Sequence, residues 1–160
     1  TVEALRRYQP EIELLVVRDG YLARARRTLD SRGEERYTCL LCKRRMYRIA
    51  AEVARRVGAK GFVTGESMGQ VASQTLDNLM VLTDAAAIPV YRPLIAFDKE
   101  DAIRLAREIG TFDASIAPAC GCGAVPTRPA TAATIETVRA LEEAVGDVGD
   151  VGMLSIQVCE

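Results

Sequence analysis

Five cysteines and no histidine set the chemistry open to this chain of 160 residues. Without imidazole, serine–histidine triads, histidine acid–base steps and His-ligated metals are excluded. Cys39-Leu40-Leu41-Cys42 places two thiols three residues apart, and on a helix such a pair shares one face. They open a periodic segment, where the helix dipole favours thiolate and Lys43, Arg44 and Arg45 add positive charge. The pair reads as reactive or metal-binding; two small residues buried at a helix entry are the plainer alternative. Cys120-Gly121-Cys122 lies in a later loop. Together with the first pair it could build a four-thiolate zinc site or supply three sulfurs to an iron–sulfur cluster. Unrelated loop thiols are the alternative there, and Cys159 reads as incidental.

Other residues suggest an anion or nucleotide. Gly65-Glu66-Ser67 directly follows a short apolar run, at the kind of turn where backbone N–H groups meet phosphate. Ser73 and Gln74 could hydrogen-bond a base or ribose, although a helix cap explains Ser73 equally well. Lys99 occupies the first position of a helix opened by Asp98, where the dipole disfavours a cation. A local rule broken at a strand-to-helix turn is what a phosphate site produces, against the alternative of a solvated surface lysine. Arg44, Arg45 and Arg48 could hold RNA phosphates, whereas Arg55 and Arg56 read as a solvated face shared with Glu52.

The elements that must position these residues alternate. Strands are expected at Ile12–Val17, Gly61–Thr64 and Val90–Ile95, the last bent or at an edge because of Pro93. Helices are expected at Val2–Tyr8, Cys39–Val57 (stopped by Gly58), Thr75–Ala87, Lys99–Ile109 (stopped by Gly110) and Thr131–Val145. Leu22–Arg36 reads only as a charged stretch, Ala117–Pro129 as a loop, and Met153–Val158 as a final apolar run. The alternation implies an α/β, Rossmann-like fold: a parallel sheet with helices on both faces and ligands at the carboxyl ends of its strands. Twenty-one basic and 22 acidic residues give a net charge of −1, so nucleic-acid binding cannot rest on bulk charge. No apolar run approaches the roughly 20 residues of a membrane span, and a cytoplasmic location is expected.

Three segments together resemble the ThiI family of tRNA 4-thiouridine synthases, which is also linked to thiamine synthesis. They are Tyr37-Thr38-Cys39-Leu40-Leu41-Cys42-Lys43-Arg44, then Val63 to Thr75 (VTGESMGQVASQT), then Arg92-Pro93-Leu94-Ile95 with Asp98-Lys99-Glu100. The middle stretch is the most specific, and the CxxC form looks like the archaeal branch. The resemblance implies an ATP pyrophosphatase-type domain that adenylates a tRNA uridine, after which sulfur displaces AMP. It implies ATP and Mg²⁺ as cofactors, and tRNA and a sulfur donor as partners, with a homodimer possible. It assigns nucleotide contacts to Lys43, Gly65 and Gln74, an essential lysine to Lys99, and the sulfur-handling cysteine to Cys122. Cys39, Cys42 and a loop cysteine are expected to ligate an iron–sulfur cluster, with Cys120 or Cys122 as the third ligand.

The family's SGGxDS-type pyrophosphate loop does not occur in these residues, nor does a THUMP tRNA-binding domain or a rhodanese domain. The expectation is therefore one partial domain over residues 1–160, entered after its first strand–helix unit and not catalytic alone. Two other readings stand beside it. One is a non-catalytic zinc–cysteine scaffold or subunit of the same fold. The other is a related enzyme that thiolates another tRNA position.

Overall fold

The computed structural model describes residues 2–118, 122–146 and the strand at 156–159. Cys120, a candidate ligand, lies outside the described residues. The elements run α1 (Val2–Leu5), β1 (Leu14–Val17), α2 (Tyr21–Arg32), α3 (Thr38–Arg56), β2 (Phe62–Val63) and α4 (Leu76–Asp84). After them come β3 (Val90–Tyr91), α5 (Lys99–Glu108), α6 (Phe112–Ile116), α7 (Ile135–Val145) and β4 (Ile156–Cys159).

Local sequence accounts for most of the helix ends. Asp98 caps α5 by accepting from the Asp101 N–H at 2.8 Å, and Gly110 ends it at φ 73°. The cap of α4 is Thr75, which accepts from the Asn78 N–H, and Thr134 does the same for α7 through Thr137. Ser73 is thus not a cap; it sits buried in a short 3₁₀ turn, Ala72–Gln74. Beyond α3, Gly58 at φ 73° lets Ala59 N–H reach back to the Ala54 carbonyl at 2.8 Å.

The charged stretch after β1 is helix α2. Tyr21, Ala25 and Leu29 recur every four residues, so they form a narrow buried stripe beneath the arginines. That stripe joins Leu40, Leu41 and Tyr47 of α3, Leu79, Val81 and Leu82 of α4, and Val138 and Leu141 of α7 in one core. The core is therefore interhelical, with α3 at its centre.

Among the described residues the strands pair two by two. β2 and β3 are parallel, in the register Phe62↔Val90 and Val63↔Tyr91. Gly61 permits this approach: a Cβ there would lie 2.7 Å from the Tyr91 ring and 2.8 Å from the Pro89 carbonyl. β1 instead pairs antiparallel with β4, Leu14 opposite Cys159, rather than joining a parallel sheet. The apolar stripe Met46, Ile49, Val53 and Val57 also differs from a core face. It lines an open groove of about 490 Å³ with Leu15 and Val17 of β1 and Phe62 of β2, and Met46 and Val57 are mostly exposed.

Three helices are joined by buried charge. Arg44, 1% exposed, donates Nε and Nη2 to the two carboxylate oxygens of Glu142, each at 2.9 Å. Its Nη1 donates to Asp84 at 3.0 Å and to the Val81 carbonyl. Arg48 adds a second fork onto Glu142, at 2.5 and 2.8 Å, and Arg139 pairs with Asp84. Burial works to raise the pKa of Glu142 and of Asp84. Hydrogen bonds from Arg48 and Arg44 on the first, and from Arg139 and Arg44 on the second, outweigh it and hold both low.

Depressed carboxylate pKa values stabilise the fold above the unfolded-state values, here near 4.5 for Glu and 3.8 for Asp, and that stabilisation is lost as pH falls below them. Chemical-denaturation midpoints are therefore expected to fall steeply below about pH 4. Glu142→Ala removes the carboxylate shared by Arg44 and Arg48, leaving Arg44 only Asp84 as a counter-ion, and is expected to cost about 3–5 kcal/mol at pH 7, measured by the same unfolding curves.

Candidate functional site: a thiol-lined cleft

The CxxC pair occupies the first turn of α3, and the later loop brings Cys122 to it. Cys39, Cys42, Lys43, Ser73 and Cys122 line one cleft of about 390 Å³, whose other walls are mainly apolar. The loop is held there by named bonds. Arg26 of α2 donates to the Gly123 carbonyl at 3.0 Å, and Ala130 N–H donates to the Arg36 carbonyl at 3.0 Å. Asn78, wholly buried, donates to the carbonyls of Ala72 at 2.6 Å and Ala130 at 2.8 Å, and accepts from Ala133 N–H at 3.1 Å. One side chain thus couples the 3₁₀ turn on one wall of the cleft to the end of the loop on the other.

The thiols do not have the electrostatics expected of a helix N-terminus rich in arginine. Burial raises the pKa of Cys39 and Cys42, and the nearby Cys122 raises both further, with Lys43 alone opposing. For Cys42, Cys39 and Asp19 add to the rise. Arg44 and Arg45 give no help because both are buried in other pairings, Arg44 with Glu142 and Arg45 with Asp19 at 2.6 Å. Those pairings also overturn the reading of Arg44, Arg45 and Arg48 as phosphate holders. Arg55 and Arg56 do form a solvated face with Glu52.

Lys43 is the cation that reaches the cleft, and Glu66 lies beneath it, Nζ to Oε1 at 3.7 Å. Glu66 is buried at the turn after β2 and is surrounded by Tyr47, Thr64 and Arg92. Sequence reasoning passed over Tyr47 and Glu66 as functional residues; the one signal was an acid directly after the turn glycine. The turn itself is strapped to the segment before α5, Met68 N–H to the Ile95 carbonyl at 3.0 Å and Ser67 Oγ to the Phe97 carbonyl.

The remaining candidates do not themselves line the cleft. Gly65 is exposed, and a Cβ there would meet nothing within 4 Å among the described residues, so none of their packing requires glycine. Gln74 follows the cleft-lining Ser73, and its buried Oε1 has no hydrogen-bond partner among the described residues. An orphaned buried acceptor is costly unless a ligand donor meets it. Lys99 is the first residue of α5, as expected, but it is exposed and does not line the cleft.

Three thiols face one cleft, yet no three cysteine or acidic residues among those described stand close enough to hold a metal ion. Cys120, the fourth candidate ligand, lies outside the described residues.

Comparison with known proteins decides the family. The family model described as thiamine biosynthesis protein (ThiI) matches residues 1–146. The chain belongs to the ThiI family. A probable tRNA sulfurtransferase of Methanosarcina acetivorans is 55% identical over 100 residues, covering 62% of this chain and 24% of that protein. One from Methanocaldococcus jannaschii is 39% identical over 135 residues, covering 82% of this chain and 35% of the relative. A crystal structure of a 4-thiouridine synthetase–RNA complex with bound ATP matches with a TM-score of 0.84 and 33% identity, over 99% of this chain and 43% of its own. The α/β fold is therefore the Rossmann-like one of ThiI-type enzymes. The chain spans about a quarter to a third of the length of these curated relatives. No helix among the described residues is long and apolar enough to cross a membrane.

Exposure and burial set an order of thiol reactivity. Cys122, which is exposed, is expected to be alkylated first by iodoacetamide at pH 7.5, as read by peptide mass spectrometry. Cys39 and Cys42 should lag, their rates still climbing above pH 9, because their pKa values lie above the ordinary 9.0.

Proposed function

We propose that this chain is the part of a tRNA 4-thiouridine synthase that carries the cysteine chemistry and part of the nucleotide site. The observation that carries the reading is the meeting of Cys39, Cys42, Cys122 and Lys43 in one cleft. It is joined by the match to a 4-thiouridine synthetase bound to RNA and ATP. In the proposed reaction the uridine O4 attacks the α-phosphate of ATP, held as its Mg²⁺ complex, and pyrophosphate leaves. A sulfur nucleophile then attacks C4 of the adenylated uridine, and AMP departs with the oxygen.

Each residue has a separable task. Lys43 and the turn at Gly65 lie against phosphate and ribose, and the unpaired Oε1 of Gln74 accepts from the adenine amine or a ribose hydroxyl. Lys99, at the head of α5, neutralises phosphoryl charge during adenylation. Cys122, the most exposed of the described thiols, takes sulfane sulfur from an external donor and passes it on, and Cys39 or Cys42 is the second thiol that releases it within the cleft. A thiol passes sulfur as a persulfide whose terminal sulfur attacks C4. The S–S bond then breaks reductively, with the electron pair supplied by a second thiol, which ends in a disulfide with the first. No step requires an imidazole base.

The test uses the complete protein, ATP and unmodified tRNA. Lys99→Ala is expected to abolish tRNA-dependent release of pyrophosphate. Cys122→Ala and Cys39→Ala are expected to keep pyrophosphate release and melting temperature while 4-thiouridine falls below about 1% of wild type, the scale on which loss of a covalent participant acts. Normal 4-thiouridine in either cysteine variant would remove that thiol from the reaction.

A further inference from the structure

Glu66 has a bonding pattern that burial alone does not account for. Its Oε2 receives every donor that holds the side chain: the Tyr47 hydroxyl, Thr64 Oγ1 at 3.2 Å and Arg92 Nε at 2.8 Å. Its Oε1 faces Lys43 Nζ at 3.7 Å. One oxygen is therefore clamped, and the other is offered to the cation of the cleft. Arg92 already balances the carboxylate's charge, at 2.8 Å with both partners largely buried. The fold thus does not need Lys43 as a counter-ion for Glu66.

The clamp is itself rigid. Arg92 Nη2 donates to the Tyr47 hydroxyl at 3.1 Å and to Thr83 Oγ1 at 2.9 Å, so α3 and α4 both hold the arginine that clamps the carboxylate. The Tyr47 ring packs edge-on against Phe62 of β2, centroids 5.3 Å apart. Burial works to raise the pKa of Glu66. The hydrogen bonds from Tyr47 and Arg92 and the charges of Lys43 and Arg92 outweigh it, so the group is a carboxylate at neutral pH.

We infer that Glu66 is a positioning residue for Lys43: its Oε1 holds the long, rotamer-rich lysine at the mouth of the thiol cleft, ordered before nucleotide arrives. This rests on the proposed role of Lys43 as a nucleotide contact. Holding the ammonium in advance removes an ordering cost that binding would otherwise carry. The pair at 3.7 Å is loose enough for the ammonium to turn towards a phosphate without leaving Oε1.

A double-mutant cycle on the complete protein tests the inference, with ATP affinity measured by calorimetry and KM and kcat by thiolation assay. Lys43→Met is expected to weaken ATP about tenfold, and Glu66→Gln nearly as much, with the loss in KM and not in kcat. In the Lys43→Met background, Glu66→Gln should add less than about twofold, because a residue acting through Lys43 has nothing left to position. Tyr47→Phe, which loosens the clamp but keeps the charges, should weaken ATP only when Lys43 is present; it keeps the test open should Glu66→Gln fold poorly. Equal losses from Glu66→Gln or Tyr47→Phe in both backgrounds would make the clamp purely structural and overturn the inference. Unchanged affinity in Lys43→Met would instead overturn Lys43 as a nucleotide contact, and the inference with it.

Discussion

The buried fork between Arg44 and Glu142 is the constraint on which the rest of the arrangement depends. An arginine 1% exposed is costly in a protein interior unless partners satisfy most of its donors. Here Glu142 takes two of those bonds, and Asp84 and the Val81 carbonyl take the others. The pair fixes the rotation of α3 about its axis against α4 and α7. Because Cys39, Cys42, Lys43 and Tyr47 project from the same helix, that rotation also decides where the thiols, the cation and the carboxylate clamp point.

Opposite faces of α3 then do opposite work. Leu40, Leu41 and Arg44 anchor it in the core, while Cys39, Cys42 and Lys43 open onto the cleft. The cleft is completed from elsewhere in the chain by a loop pinned through Asn78, Arg26 and Ala130. The turn after β2 supplies Glu66 from below. This division explains why arginines next to the thiols leave their pKa values raised: their charge is spent inside the fold on Glu142 and Asp19.

Local signals were legible in the sequence, and long-range pairings were not. Periodicity and Gly58 locate α3, and Asp98 with Asp101 and Gly110 frames α5, because caps act within a few residues. The CxxC pair and the turn at Gly65 were visible as chemistry for the same reason. The role of Arg44 was hidden because its partner Glu142 lies 98 residues away, and an arginine in a charged run reads as solvated. Helix α2 reads as a charged stretch because three residues, Tyr21, Ala25 and Leu29, carry its buried stripe among many charges. Conversely, Met46, Ile49, Val53 and Val57 show an apolar face, but periodicity does not say which element meets it, and here it borders an open groove. The antiparallel pairing of β1 with β4 joins the two ends of the chain and leaves no local trace at all.

If Lys43 brings nucleotide against the thiol cleft, as proposed, bound nucleotide protects those thiols from alkylation. The complete protein would be treated with iodoacetamide with and without a saturating non-hydrolysable ATP analogue, and each cysteine followed by peptide mass spectrometry. If the nucleotide lies on Lys43 and Gln74, labelling of Cys39 and Cys42 should slow several-fold while cysteines outside the cleft are unaffected. Unchanged labelling of both thiols at nucleotide saturation would place ATP away from Lys43 and the cleft.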